Sequence, residues 1–383
     1  MFGEPQGNKD DDSRYIMKLS IERSELLKAL GHVQNVVERR NTIPILSNVL
    51  MSTESNSLTF VATDLDIEVS EGAAADIMAP GQVTAPAHTL YDIARKLPDG
   101  SQVVLQINSE DRLDIDAGRS HFTLPLLPAG DFPKMTADDF THHFDLPAGG
   151  LSRLIDKTRF AISTEETRYY LNGIYMHDHK GVLRCVATDG HRLALAETNL
   201  PSGAQGLPGV IIARKTVAEI RRLIDGVDGN VKISVSEAKI RFTVGSVVLT
   251  SKLIDGTFPD YERVIPKGNS KELTIDNKIF AGAVDRVATI SAEKTRSVKL
   301  SLAKDNLSLA VNNPESGQAH EDLPVDYSAD PLEIGFNAKY LLDVSAQIEG
   351  RDASFFLDSP ASPALVKDGE DENALFVLMP LRV

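Results

Sequence analysis

The sequence predicts an α+β protein made of three copies of one domain, each with two helices packed on antiparallel sheets. Three observations lead there. The chain repeats itself at a fixed interval, each repeat holds two amphipathic helical segments, and short alternating or β-branched runs follow those segments.

The interval comes from separate landmarks. Val61-Ala62-Thr63-Asp64 recurs unchanged as Val186-Ala187-Thr188-Asp189, 125 residues later, and Phe132-Pro133 recurs as Phe258-Pro259, 126 residues later. A weaker copy, residues 309–313, follows residues 185–189 by 124. One period shared by independent landmarks marks a repeat architecture. The length agrees, since 383 residues exceed the roughly 250 to 300 at which a single core stops growing. The expected domains are 17–137, 138–268 and 269–383. Residues 1–16 are expected to be a flexible extension or a tag, because Met17-Lys18-Leu19-Ser20 looks like the natural start.

Each repeat divides into two similar halves. The first helical segments are residues 24–40, with apolar Leu26, Leu27, Leu30, Val33 and Val37; 150–162, with Leu151, Leu154, Ile155 and Phe160; and 278–290, with Ile279, Phe280, Val284 and Val287. The second are 88–97, 214–224 and 337–348. Spacings of three and four put these residues on one face. Pro98-Asp99-Gly100, Asp225-Gly226 and Glu349-Gly350 act as stops, because glycine accepts the left-handed conformation that ends a helix. Strands are expected at 58–62, 103–107, 113–115, 231–235, 240–244, 247–251, 300–302 and 374–379, where β-branched or alternating residues lie between turn formers. Antiparallel sheets with helices on one side are the economical assembly.

Composition excludes several classes. Hydrophobic residues make up 42% and charged residues 25%, and no stretch reaches the roughly 18 apolar residues of a membrane span. The N-terminus is polar, with an acidic run at Asp10-Asp11-Asp12, unlike a secretory signal. The single cysteine, Cys185, permits no internal disulfide and no structural zinc site; in the apolar run 183–187 it reads as a buried thiol. A cytoplasmic protein without metal or cofactor is expected.

The net charge of −15 argues at first against nucleic acid, whose phosphates are bound by Lys and Arg. Its distribution reverses the argument. Six windows around the helices hold 18 Lys and Arg against 8 Asp and Glu, so the helices are basic and the rest of the chain is acidic by 25. Helix propensity alone does not explain this, because Glu is as good a helix former as Lys and only four of the windowed acids are Glu. If equivalent helices point the same way, the molecule has a basic surface able to hold a phosphate backbone.

Asp189-Gly190-His191 invites a catalytic reading, with the Asp orienting the His. No nucleophile elbow, paired metal-ligand motif or phosphate-cradling glycine loop accompanies it, so no catalytic residue is assigned. The pairs His142-His143 and His177/His179 lie in polar stretches expected to be exposed turns.

Five stretches together identify a family. Arg168-Tyr169-Tyr170-Leu171-Asn172-Gly173, residues 186–194 (VATDGHRLA), residues 250–256 (TSKLIDG), Phe258-Pro259-Asp260-Tyr261 and the terminal Met379-Pro380-Leu381-Arg382-Val383 resemble the β subunit of bacterial DNA polymerase III, the sliding clamps. The resemblance covers about residues 17–383. It implies three domains of the DNA-clamp fold, and a head-to-tail homodimer closed into a ring, helices lining the hole. Such a ring holds double-stranded DNA without regard to sequence and tethers the polymerase, the clamp loader and repair proteins through short linear motifs.

The resemblance also implies sites. DNA would meet Arg40, the loop at Arg168, Tyr169 and Tyr170, and Arg214 and Lys215. Glu165 and Glu166, entering that loop, depart from less acidic family members and soften the expected grip. The dimer seam would set Phe122 and Leu124 of one chain against the Ile290 region of the other. A partner-peptide pocket would use Leu171, Thr188, His191, Leu193, Pro259, Val264, Val377 and Met379, flanked by Gly190, Arg192, Arg263, Pro380, Leu381 and Arg382. Aliphatic walls with a few polar donors suit a short extended peptide with Leu and Phe anchors. Apolar residues at a terminus, as in 379–383, fray unless docked.

Overall fold

The computed structural model describes residues 17–39, 42–54, 56–136, 138–291 and 296–382. Arg40, one of the expected DNA contacts, lies outside the described residues, as do residues 1–16.

Among the described residues six α-helices form, each directly after a strand: α1 (Arg23–Val33), α2 (Ala87–Lys96), α3 (Ala148–Arg159), α4 (Arg214–Leu223), α5 (Asn277–Ala288) and α6 (Ala338–Ser345). Two have side-chain caps. Asp276 accepts hydrogen bonds from the Lys278 and Ile279 N–H groups, and Asn337 accepts one from Lys339, which satisfies donors that a helix start leaves open. The apolar stripes face inward: Leu26, Leu30 and Val33 in α1, Leu151 and Leu154 in α3, and Phe280, Val284 and Val287 in α5 are buried.

One expected boundary is corrected. The segment 24–40 is not helical throughout; α1 stops at Val33, and irregular turns carry the chain onward. Asn35 and the β-branched Val36-Val37 have weak helix propensity. Val36 and Val37 are still buried, so their apolar phase continues after the helix has ended.

The described residues form two compact units, one within 17–139 with 241–251 and the other within 140–240 with 252–382. In the first, a five-stranded antiparallel sheet runs in the order Asp76–Ala79, Lys18–Glu22, Gln102–Ile107, Arg112–Ala117, Ser120–Pro125. Beside it, Gln82–Pro86, Asn48–Glu54, Ser57–Thr63 and Ile67–Ala74 pair in succession, and the 247–251 segment adds to the last with Leu249 opposite Val69.

The second unit carries the site. Its nine-stranded sheet runs Val210–Ala213, Gly173–His179, Val182–Thr188, Arg192–Asn199, Asp371–Leu378, Ala364–Asp368, Asp352–Leu357, Lys271–Asp276, Asp326–Tyr327. The strand nearest the C-terminus pairs with Arg192–Asn199, Leu193 opposite Val377, which seats the last residues of the chain beside the middle repeat. A four-stranded sheet follows in the order Gly317–Pro324, Asn306–Asn313, Ser297–Ala303, Leu332–Asn337. Arg153 of α3 grips Asp371 through two hydrogen bonds of 2.6 and 2.5 Å, and buried Lys157 reaches Glu349 at 2.9 Å. These pairs tie α3 to the C-terminal segment.

The histidine expectation is also corrected, except that His143 is exposed as expected. His142 and His143 lie on the strand His142–Pro147, and His177 and His179 on Gly173–His179. His177 is partly buried, stacked on Tyr175 with ring centroids 4.7 Å apart.

Candidate functional site

The expected pocket residues separate into a buried cluster, an open cleft, and the exposed Pro259, Arg263 and Val264. Leu171, Leu193 and Val377 are 4%, 2% and 1% exposed, packed in one cluster with Val186, Leu195, Ile211, Phe258 and Tyr261. Tyr170 packs against the same cluster from its edge. Val264 and Met379, by contrast, are exposed apolar residues, at 45% and 37%. Pro259 and Arg263 are exposed as well, and Arg263 pairs with Asp260 at 2.6 Å.

The open part is a cleft of about 420 Å³ lined by His191, Tyr340, Met379, Pro380, Leu381 and Arg382, with Asn337 and Ser297 at its edge. Backbone bonds hold its walls. The Met379 N–H donates to the His191 carbonyl at 2.9 Å and the Leu381 N–H to the Gly335 carbonyl at 2.8 Å, so residues 379–381 are docked.

The turn at Asp189 shapes the other wall. One Asp189 carboxylate oxygen accepts the His191 and Arg192 N–H groups, and the other accepts from the Arg192 guanidinium. Thr188 Oγ1 donates to the Arg192 carbonyl at 2.6 Å and accepts from Gly190 N–H. Gly190 has φ +86°, a conformation that glycine adopts without strain. Asp189 therefore spends its hydrogen bonds on a turn and on Arg192. Among the described residues no group of three or more His, Cys, Asp or Glu side chains could hold a metal ion. Cys185 is buried, and desolvation pushes its thiol up to about 12, which keeps it protonated and inert.

Arg192 sits under the cleft. It is 8% exposed, pairs with Asp189 at 3.1 Å and Asp343 at 2.5 Å, and donates to the Phe160 carbonyl at 2.6 Å. Its guanidinium lies 4.4 Å from the Tyr340 ring centre and 5.2 Å from that of Phe160, within cation–π range. His191 stacks on the Tyr340 ring at 6.4 Å. Tyr340, Asn337, Ser297 and Asp343 were not anticipated. The signal available was Tyr340, an aromatic beside the apolar stripe of α6.

The expected DNA contacts are partly gathered. The Arg214 N–H, at the start of α4, donates to the Asn172 carbonyl at 2.9 Å, which fixes the 168–172 loop beside the exposed Arg214 side chain. Lys215 follows on α4 and is half-buried. Tyr169 is 53% exposed and meets Tyr170 edge-on at 5.8 Å. Glu165 holds Arg168 through two hydrogen bonds, at 2.8 and 2.6 Å; that pairing raises the arginine's pKa and lowers the glutamate's.

The three expected seam residues differ in setting. Phe122 is exposed on Ser120–Pro125, an edge strand of its sheet. Leu124 is buried within its own unit, and Ile290 is half-buried just past α5, its carbonyl accepting from Asn313 Nδ2 at 2.9 Å.

Comparisons with known proteins cover most of the chain. The family models of the DNA polymerase III β subunit match in order: the N-terminal domain over residues 17–136, the central domain over 145–260 and the C-terminal domain over 262–382. The β sliding clamp of Caulobacter vibrioides is 61% identical over 372 residues, covering 96% of this chain and 100% of that protein. That of Escherichia coli K12 is 39% identical over 370 residues, with the same coverage. Among solved structures, the Caulobacter crescentus polymerase III β chain superimposes with a TM-score of 0.93 at 61% identity. A Bartonella birtlesii sliding clamp bound to griselimycin superimposes with 0.94 at 52%. Both matches cover 96% of this chain and 100% of the other.

Proposed function

The chain belongs to the DNA polymerase III β subunit family of sliding clamps, and on that premise we propose that two copies close head to tail into a ring that encircles duplex DNA and tethers client proteins. The reading divides the chain into domains 17–137, 138–268 and 269–383. Head-to-tail contacts join different surfaces and polymerise unless the rotation closes; here two copies suffice, with Phe122 and Leu124 against the Ile290 region. Phe122 supports this as an exposed aromatic on an unpaired strand edge, a surface that proteins normally cover.

The work is topological and calls for no bond-making chemistry, cofactor or metal. A ring stays on DNA because it is closed, so its phosphate contacts need only be weak and independent of sequence. Arg40, Arg168, Tyr169, Tyr170, Arg214 and Lys215 supply them. The excess of Lys and Arg on the helices of an acidic chain supports the assignment. The setting is the cytoplasm, at the nucleoid; no helix among the described residues is long and apolar enough to cross a membrane.

Clients bind in the pocket built on Leu171, Thr188, Gly190, His191, Arg192, Leu193, Pro259, Arg263, Val264, Val377 and residues 379–382. The observation that carries this is the docking of residues 379–381: Met379 is held to His191 yet leaves its side chain exposed beside a cleft of about 420 Å³. An apolar anchor of a flexible segment would pack on that side chain and on the exposed Val264. The polymerase catalytic subunit, the clamp loader, other polymerases and repair proteins share it through short motifs, at roughly micromolar affinity for an isolated peptide, since ordering a flexible segment consumes contact energy. Calorimetry tests it: deleting residues 379–383 abolishes binding of a Leu-Phe peptide and leaves the dimer intact, whereas unchanged affinity places the pocket elsewhere.

A further inference from the structure

A second cavity adjoins the client cleft. It is a groove of about 530 Å³ that shares Ser297 and Arg382 with the cleft and runs across the strands Ser297–Ala303, Asn306–Asn313 and Gly317–Pro324. Strand register explains its lining. Lys299 pairs with Ala310, and Ala310 with His320, so these three side chains stand in a row on one face, while Leu300 and Leu309 point into the core. The small Ala310 between two long side chains makes the groove. Three strands about 4.8 Å apart give a crossing of roughly 10 Å, the reach of about three extended residues.

Its basic side chains, Arg382 and Lys299, stand on the side that adjoins the cleft. Arg382 is exposed and makes no ion pair among the described residues. Lys299 keeps a side chain 37% exposed while reaching Glu333 at 2.8 Å. His320 closes the far end of the row, 2.7 Å from Ser308 Oγ and 3.5 Å from Asp322. A carboxylate entering from the cleft meets Arg382 first and Lys299 next.

We propose that this groove continues the client cleft and takes the flank of a client motif, an extended segment of about three residues that carries a carboxylate. The proposal rests on the client-pocket reading above. It explains why the cavity opens at Arg382, the residue at which the cleft ends, and it assigns to Lys299 and Ala310 a part in choosing among clients that share the same apolar anchors.

The test compares peptides by calorimetry on the full chain. A six-residue Leu-Phe peptide is measured alone, then with three residues containing Asp added at either end, then with Lys in place of Asp. One Asp-extended peptide binds about fivefold more tightly than the short one, the upper end for an exposed ion pair, and its Lys counterpart loses the gain. Ala310→Glu, which fills the groove and repels the flank, removes the gain while the short peptide binds as before. No gain from either Asp extension, or a gain that survives Ala310→Glu, overturns the proposal. Should Ala310→Glu fail to fold, the Asp and Lys peptides on the unaltered chain decide. Failure of the short peptide itself to bind is a different result, which removes the pocket and the groove together.

Discussion

Arg192 reaches Asp343 at 2.5 Å, and this contact joins a strand of the middle repeat to helix α6 of the last one. Asp189 and the Phe160 carbonyl share the same guanidinium, so the wall of the cleft and the packing of α6 depend on one buried cation. Asp343→Asn leaves Arg192 8% exposed with a single carboxylate. The expected loss is about 2 kcal/mol, in the range for a hydrogen bond to a charged group whose partner stays buried. Urea unfolding followed by a probe in this unit measures it; an unchanged midpoint contradicts it.

How much of this was legible in the sequence depends on how local the determinant is. Helix existence was legible because Leu151/Leu154 and Val284/Val287 recur at helical spacing within one segment. The end of α1 was not, since Val36 and Val37 stay buried in irregular chain and periodicity cannot separate a buried turn from a helix. His177 was misread because its partner Tyr261 lies 84 residues further along the chain, while the neighbouring Asp and Lys suggested a turn. Glu165 was read as a charge repelling phosphate; the structure adds that it holds Arg168. The pocket residues were legible through family resemblance, but Tyr340 and Asp343 of α6 were not, because their role depends on where the last helix lands.

Freeing Arg168 should strengthen DNA contact. Glu165→Gln removes the carboxylate that takes two of the guanidinium's donors. Binding of short duplex is expected to tighten at low salt, with a log–log salt slope steeper by about one. Fluorescence anisotropy at several salt concentrations checks it. A weaker complex would show that Arg168 needs Glu165 to reach the phosphate.

The seam prediction concerns Ile290. Ile290→Asp places an unpaired charge where two chains are proposed to meet, a cost of about 3 to 5 kcal/mol when buried. Sedimentation of the dilute variant should show monomer. A dimer of unchanged stability removes Ile290 from the seam.

His177 gives a pH dependence. Its Nε2 lies 3.0 Å from the Tyr261 hydroxyl, which also accepts from Arg184, and its Nδ1 faces the Asp178 carbonyl at 3.2 Å. Burial is the largest cause lowering its pKa below the usual 6.5; His179 and Arg184 lower it further, while the Asp178 carbonyl and Glu262 oppose. The unfolded chain therefore takes up the proton first, so this histidine's effect is absent above about pH 6.5 and costs stability as pH falls toward the folded value. His177→Gln, which keeps an acceptor for Tyr261 and does not titrate, should flatten the loss of stability between about pH 7 and 5. Parallel unfolding curves for both proteins across that range would contradict it.

The central claim is that the chain works as a closed ring on DNA, and retention on circular against linear duplex tests it most directly. The protein is loaded onto a nicked circular plasmid with its loader and ATP, separated from free protein by gel filtration at moderate salt, and measured again after a restriction enzyme has cut the circle. The account predicts that the protein stays with the intact circle and is lost once a free end exists, because nothing but topology holds it there. Equal retention on circular and linear DNA, or none on either, would contradict it.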